Sequence, residues 1–370
     1  MIIEEGTKQH SGSPEKLMAM FVRSLVLKSV AVRNMTQVAA IAVCIFATTF
    51  ALGQQPYQIV DHWKIGGTGG WDYLLVDPAA NILYITHGPQ VEVIDTKTGK
   101  SVATITGMKG THGIALDEQG KFGYISDGGG NAVVVFDRQN FHTVATIPAG
   151  TNPDGLLFEP TTKTVWAFNG RSKNVTVIDA ATNKVVATTD VPGKPEFPVA
   201  DGRGSAYDNI ETENEIVRFD ARDKKLTGTW KLSDCESPSG LAIDREHRKL
   251  FAVCDGKKMA VVDTESGKQI ASAAIGDGPD ATAFSPKRQL VFSSNGEGTL
   301  TVIDAANGYK VLETLPTARG ARTMAYDETT DRVYLVTAKF GPLPEPTAQT
   351  PHPRPQALPD TFEVIVVGRK

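Results

Sequence analysis

Seven positions spaced about 42 residues apart carry most of the reactive chemistry of this chain: Asp72, His112, Asp154, Glu196, Ser239, Asp280 and Arg322. All but Ser239 are Asp, Glu, His or Arg. Four carboxyls brought face to face would raise one another's pKa values unless a cation, or Arg322, sat among them. Carboxylate oxygens with water suit Ca²⁺ or Mg²⁺, and His112 adds a nitrogen that suits a transition metal. Asp72, His112, Asp154, Glu196 and Asp280 are therefore candidate metal ligands, and a divalent metal ion is the candidate cofactor; the sequence names no other. Trp71, beside Asp72 in GGTGGWDY, offers a flat face for a sugar, base or other planar ligand; otherwise it covers one end of the fold. Gly66, Gly67, Gly69 and Gly70 precede no helix and no GK[ST], so they are not a phosphate-binding loop.

The elements that must position these residues are short strands. Gly110–Asp137 reads GTHGIALDEQGKFGYISDGGGNAVVVFD. It holds three apolar runs of four or five residues, bounded by Gly, Asp and Asn, and His142–Ile147 supplies a fourth. Such runs read as strands. The third strand recurs with a terminal aspartate at Asp95, Asp137, Asp179, Asp220, Asp263 and Asp304, at spacings of 42, 42, 41, 43 and 41. A period near 42 with four strands is that of a propeller blade, and no helical periodicity supports a helical repeat. The six aspartates read as turn caps that accept backbone amides two residues on.

Strand counting gives the blade number. The first strand occurs seven times: Tyr73–Asp77, Gly113–Asp117, Gly155–Glu159, Phe197–Asp201, Gly240–Asp244, Ala281–Ser285 and Thr323–Asp327. The last blade lacks an outer strand of its own, and Tyr57–Ile65 supplies it from the N-terminal side. That closes the ring and removes open sheet edges. The expected fold is an all-β, seven-bladed propeller of four-stranded antiparallel blades, closed by the pairing of N- and C-terminal strands.

Equivalent positions in seven blades form rings, so differences within a ring are informative. A purely structural turn would repeat one residue; the seven reactive positions do not. A second ring ends the second strand: His87, Asp127, Asn169, Asn209, Cys254, Asn295 and Thr337. Its Asn and Asp residues suit left-handed or turn conformations and read as structural. His87 departs from the pattern, one blade from His112, and joins the ligand-binding candidates.

The phrases VEVIDTKTGKSVATI, VTVIDAATNKVVATT and LTVIDAANG, the turns GTNPDG and GDGPDA, and ILYITHG, FGYISDG and LVFSSNG resemble the YVTN-repeat family of seven-bladed propellers, in particular its YncE-like branch. The resemblance covers about 57–370. It implies that the first strand of each blade is innermost, so that the ring from Asp72 to Arg322 surrounds one mouth of a central channel. It also implies a periplasmic or secreted protein with a binding role, which in one relative extends to single-stranded DNA. Fold alone does not choose among the functions such propellers host.

Residues 1–53 read as a targeting segment: Lys16, Arg23, Lys28 and Arg33 precede the apolar run Val38–Leu52, and small residues follow at Ala51 to Gly53. This is the layout of a cleavable secretory signal, with a single membrane anchor as the alternative. The propeller domain then spans 54–370, periplasmic or secreted, with no membrane attachment after cleavage. The chain carries a net charge of −4; loss of five Lys/Arg and three Asp/Glu with the segment leaves −6. That balance argues against nucleic acid as a partner, since backbone binding needs a basic patch. Of three cysteines, Cys235 and Cys254 remain after cleavage, flanking one hairpin. They are either a disulfide or two reduced small hydrophobes.

The last blade is interrupted by Phe340–Thr361, FGPLPEPTAQTPHPRPQALPDT, which holds seven of the 21 prolines. Such a density excludes helix and strand. It leaves from the face of both rings, as a lid, a docking segment or a surface insert. The chain has no GxSxG, HExxH, CxxCH or CxxC motif. The leading expectation is a monomeric, non-catalytic binding module that takes a small ligand, metal ion or protein partner at the channel mouth. The alternatives are a metal-assisted hydrolase of lactonase type at the same face, with Glu196 or Asp154 as base, and a single-stranded DNA binder.

Overall fold

The structure, a computed structural model, describes residues 55–347, 353 and 355–369. The expected targeting segment falls outside them. Twenty-eight strands, β1 to β28 in chain order, form seven four-stranded antiparallel sheets. The sole helical element among the described residues is one 3₁₀ turn, Glu211–Glu213. The chain is thus the seven-bladed propeller that its repeat specifies.

The first strands are β2 (Trp71–Asp77), β6 (Thr111–Leu116), β10 (Pro153–Glu159), β14 (Pro195–Ala200), β18 (Glu236–Asp244), β22 (Pro279–Ser285) and β26 (Met324–Asp327). Each touches the first strands of both neighbouring blades, so together they line the channel. The middle strands are buried on both faces because blades stack against one another. In blade 1, β3 (Ile82–His87) is buried at every position, whereas the outer β5 (Lys100–Ile105) is largely exposed. Side chains such as Tyr84, Tyr124, Trp166 and Phe292 fill the spaces between sheets.

Ring closure follows the expected route. β1 (Gln58–Lys64) pairs antiparallel with β28 (Glu363–Gly368), which pairs with β27 (Arg332–Thr337). Tyr57 latches the seam: its hydroxyl donates to Asp331 at 2.6 Å, its ring meets Phe292 edge-on, and Arg369 lies over it at 4.3 Å. All six repeat aspartates cap turns. Asp95, for example, accepts the amides of Lys97 and Thr98, and Asp304 those of Ala306 and Asn307. The Thr98 hydroxyl and amide hold Asp95, and the Thr182 hydroxyl and amide hold Asp179, below the usual carboxylate range; the Asp223 and Arg222 amides do so for Asp220, and Lys249, then the Ser266 amide, for Asp263.

Two glycines set how closely blades 2, 3 and 4 approach. A Cβ on Gly113 would lie 2.5 Å from the Asp154 carbonyl oxygen, and one on Gly155 would lie 2.6 Å from the Glu196 carbonyl oxygen. No side chain fits there. The inner strands can therefore press together at the level of His112, Asp154 and Glu196. Cys235 and Cys254 are joined in a disulfide across the hairpin of β18 and β19 (Lys249–Asp255).

Candidate functional site

Each ring residue sits at or beside the start of an inner strand, where the backbone emerges at the channel mouth. The strands carry Asp72, His112 and Asp154 together: His112 Nδ1 lies 2.6 Å from Asp72 and 3.8 Å from Asp154. The remaining acids have cations of their own. Glu196 pairs with Lys194 at 2.8 Å, and Lys194 also pairs with Glu211 at 2.5 Å. Asp280 faces Arg322 at 3.5 Å. Ser239 is spent on structure, its hydroxyl donating to the Pro279 carbonyl of the next blade.

The electrostatics follow from burial and crowding. Burial, then the charges of Asp72 and Glu196, push Asp154 well above the usual carboxylate range. Burial also raises Glu196, against the pull of Lys194. Asp280 is pushed up to about 7 by burial despite Arg322. Burial alone would lower His112, but its bond to Asp72 and the charges of Asp154 and Asp72 hold it above its ordinary value.

The channel is plugged just below this ring. Tyr73 reaches from blade 1 to blade 4, where its ring stacks on Phe197 at 4.9 Å and its hydroxyl donates to the Glu196 carbonyl at 2.6 Å. The space left among Asp72, Tyr73, Glu196, Phe197 and Asp280 is about 10 Å³, the lower limit for a single water. The mouth is therefore a cup with a floor and not an open pore.

Above it, the Pro-rich passage returns to the propeller: Phe340 bridges to Ala357, and Leu358 donates its amide to the Lys339 carbonyl. Between this passage and blades 1, 6 and 7 lies a cavity of about 1060 Å³. Its walls include Trp71, Arg319, Arg322, Phe340, Pro344 and Leu358. Trp71 is held by Phe362 at 5.1 Å and Phe340 at 6.1 Å between ring centres.

Two expectations are corrected. His87 is not at the mouth: it is 2 % exposed, stacked on Phe362 at 4.2 Å with Nδ1 3.6 Å from Glu92. Phe362, just before the closing strand, covers it and keeps it out of the His112 cluster. In blade 4 the second-ring position belongs to Ile210, not Asn209. Ile210 pairs with Pro195 as Asn169 pairs with Pro153. Asn209, one residue earlier, donates to the Ser239 and Gly240 carbonyls, as Ser126 does to Asp154 and Ser294 to Arg322. The other second-ring Asn and Asp residues are extended strand ends whose side chains bind neighbouring loops. Asp127 accepts the amides of Lys109, Gly110 and Gly130.

Sequence reading passed over Tyr73, Lys194, Arg319, Phe340 and Asp208. Asp208 is 0 % exposed, and neither carboxylate oxygen has a hydrogen-bond partner among the described residues. Burial, then the charge of Glu196, drives its pKa far up. The corrected register would have exposed it, because it falls on a position that is apolar in most blades.

No family model matches the chain. Two proteins named uncharacterized protein YncE, from Salmonella typhimurium and Salmonella typhi, are each 30 % identical over 190 residues, covering 50 % of this chain and 53 % of theirs. Antigen Lp49 of Leptospira interrogans is 25 % identical over 266 residues, covering 67 % of this chain and 54 % of its own. The chain thus spans about half the length of the curated relatives it matches. Among solved structures, Kuenenia stuttgartiensis hydrazine synthase matches with a TM-score of 0.66 at 16 % identity, over 76 % of this chain and 96 % of that one. U3-55K matches with a TM-score of 0.67 at 11 % identity, over 84 % and 98 %. At these identities the structural matches speak for the fold alone.

Proposed function

We propose that this seven-bladed propeller, which is similar over half its length to proteins named YncE, is a non-catalytic binding module. Its ligand sits in the cavity between the Pro-rich passage and the channel mouth. The observation that carries this reading is the make-up of that cavity. Trp71 and Phe340 bring two aromatic side chains to its lining, and Arg319 and Arg322 bring two arginines. Its volume of about 1060 Å³ matches the upper range of small-molecule sites, which are mostly apolar with a few placed polar groups. A flat, largely apolar molecule with a carboxylate or similar anion fits: the ring stacks on Trp71, and the anion meets Arg319, which lacks a side-chain partner among the described residues. Guanidinium groups favour such planar anions.

The test uses the aromatic anion 8-anilinonaphthalene-1-sulfonate as probe. One site per chain is expected, with binding weakened at least tenfold by Trp71→Ala and by Arg319→Ala. Unchanged affinity in both variants would sink the proposal. The reading includes export and a monomeric state. The Cys235–Cys254 disulfide supports export, because such bonds persist in oxidising compartments. A chain recovered with its N-terminus still at Met1 would count against it.

A further inference from the structure

We infer that Asp72, His112 and Asp154 form a site for one divalent first-row transition-metal ion at the channel mouth. None of the three lines the cavity beneath the Pro-rich passage, so this site stands apart from the ligand site proposed there. His112 Nδ1 and one oxygen from each acid lie within 4.8 Å of one another. Metal–ligand lengths of about 2.1 Å bring donors on one ion to about 3–4 Å separation, so small side-chain rotations close the set. The His112 ring is fixed from behind: it fills the space where a Cβ on Gly128 would lie 2.7 Å from Nε2. That leaves Nδ1 as the donor turned to the acids.

The second observation is Asp154 itself. It is 7 % exposed, and its carboxylate accepts no hydrogen bond among the described residues. Its closest cation, His112 Nδ1 at 3.8 Å, is engaged with Asp72 at 2.6 Å. A buried carboxylate without donors is strongly disfavoured unless paired or bound to a metal. Glu196 and Asp280 differ in having a side-chain cation of their own within ion-pair distance, Lys194 at 2.8 Å and Arg322 at 3.5 Å. Five ring positions offered ligands in the sequence; only three of them are left for an ion.

One imidazole nitrogen with two carboxylate oxygens is a mixed donor set. It favours Zn²⁺, Co²⁺ or Mn²⁺ over Ca²⁺ and Mg²⁺, which prefer oxygen alone. The ion takes the place of the proton shared by His112 and Asp72, which passes to solvent. Asp72 and His112 side chains are each 30 % exposed, so the remaining coordination positions face the mouth and take water.

The full chain, stripped with EDTA, is titrated with Mn²⁺ followed by electron paramagnetic resonance, and with Zn²⁺, Co²⁺ and Ca²⁺ by calorimetry. One transition ion per chain is expected, with at least tenfold weaker binding in Asp154→Asn and in His112→Gln. Neither variant should melt below wild type in EDTA, and Asp154→Asn, which removes a buried acid, should melt at or above it. Should Asp154→Asn fail to fold, Asp72→Asn and His112→Gln, at partly exposed positions, decide the matter. Arg319→Ala should bind the metal normally, which separates this site from the cavity. No binding of any transition ion, binding that persists in the ligand variants, or Ca²⁺ bound as tightly as Zn²⁺ would each overturn the assignment.

Discussion

Asp208→Ala should stabilise the protein. Asp208 lies on β15 (Ser205–Ile210), paired with Pro198 of β14. The same place in the flanking blades is held by Ala167, paired with Leu156, and Ala252, paired with Leu241, both fully buried. The backbone there accepts alanine without adjustment. Asp208 brings a carboxyl with no hydrogen-bond partner among the described residues; the Glu196 backbone faces it but falls short of bonding geometry. An unsatisfied buried polar group costs about 1–3 kcal/mol, and the charges of Glu196 and Asp154 add to that. Truncation leaves a small void that takes back under about 1 kcal/mol. A net gain of about 1–2 kcal/mol remains. A propeller of roughly 300 residues unfolds with about 0.65 kcal/mol/K of entropy at its midpoint, so the melting temperature should rise by about 2–3 °C. Calorimetry on wild type, Asp208→Ala and the near-isosteric Asp208→Asn measures it, with the alanine variant highest. A fall of 2 °C or more in Asp208→Ala would show that the carboxylate makes net favourable contacts, and the reasoning from an orphaned core acid would be wrong. If the rise is seen, the chain carries an acid beside Glu196 and Asp154 at a cost in stability, as sites tuned for binding often do.

Gly155→Ala should cost about 1–3 kcal/mol by overpacking, since its Cβ would meet Pro198 Cδ at 2.5 Å and the Glu196 carbonyl at 2.6 Å; a melting temperature within 1 °C of wild type would contradict the close approach of blades 3 and 4. Asp280, raised from 3.8 to about 7 by burial, binds its proton more tightly in the folded state. Its contribution is therefore fully present below about pH 4 and is lost as pH rises through about 7. Asp280→Asn, which cannot ionise, should gain on wild type by a few kcal/mol between pH 5 and pH 8 in denaturant titrations, and parallel pH profiles would refute the shift. Replacing Cys235 and Cys254 together by serine opens a loop with a sequence separation of 19. The loss should be about 3 kcal/mol, or about 5 °C in melting temperature, with wild type in dithiothreitol falling by a similar amount.

The blades were legible because their signals are local and repeated. A terminal aspartate every 41 to 43 residues caps a turn, and apolar runs of four to six residues fill strands that stacking buries on both faces. Repetition also let the inner ring be located without a structure, since Asp72, His112, Asp154 and Arg322 stand at equivalent places on one mouth. Two kinds of information were not in the repeat. One is register within a divergent blade: blade 4 carries its second strand one residue out of step with the motif, so Asn209 was placed on Ile210's position and the buried acid before it went unnoticed. The other is what an element from a distant part of the chain does to a local position. His87 looks like a mouth residue until Phe362, the residue before the closing strand, covers it. Asp154 and Glu196 look alike until Lys194 neutralises only the second. Tyr73 reads as an ordinary strand residue, yet it crosses to blade 4 and floors the channel. Site chemistry in a propeller is decided by these cross-ring meetings, so a periodic sequence marks where the site lies before it can say which of its residues remain free to bind.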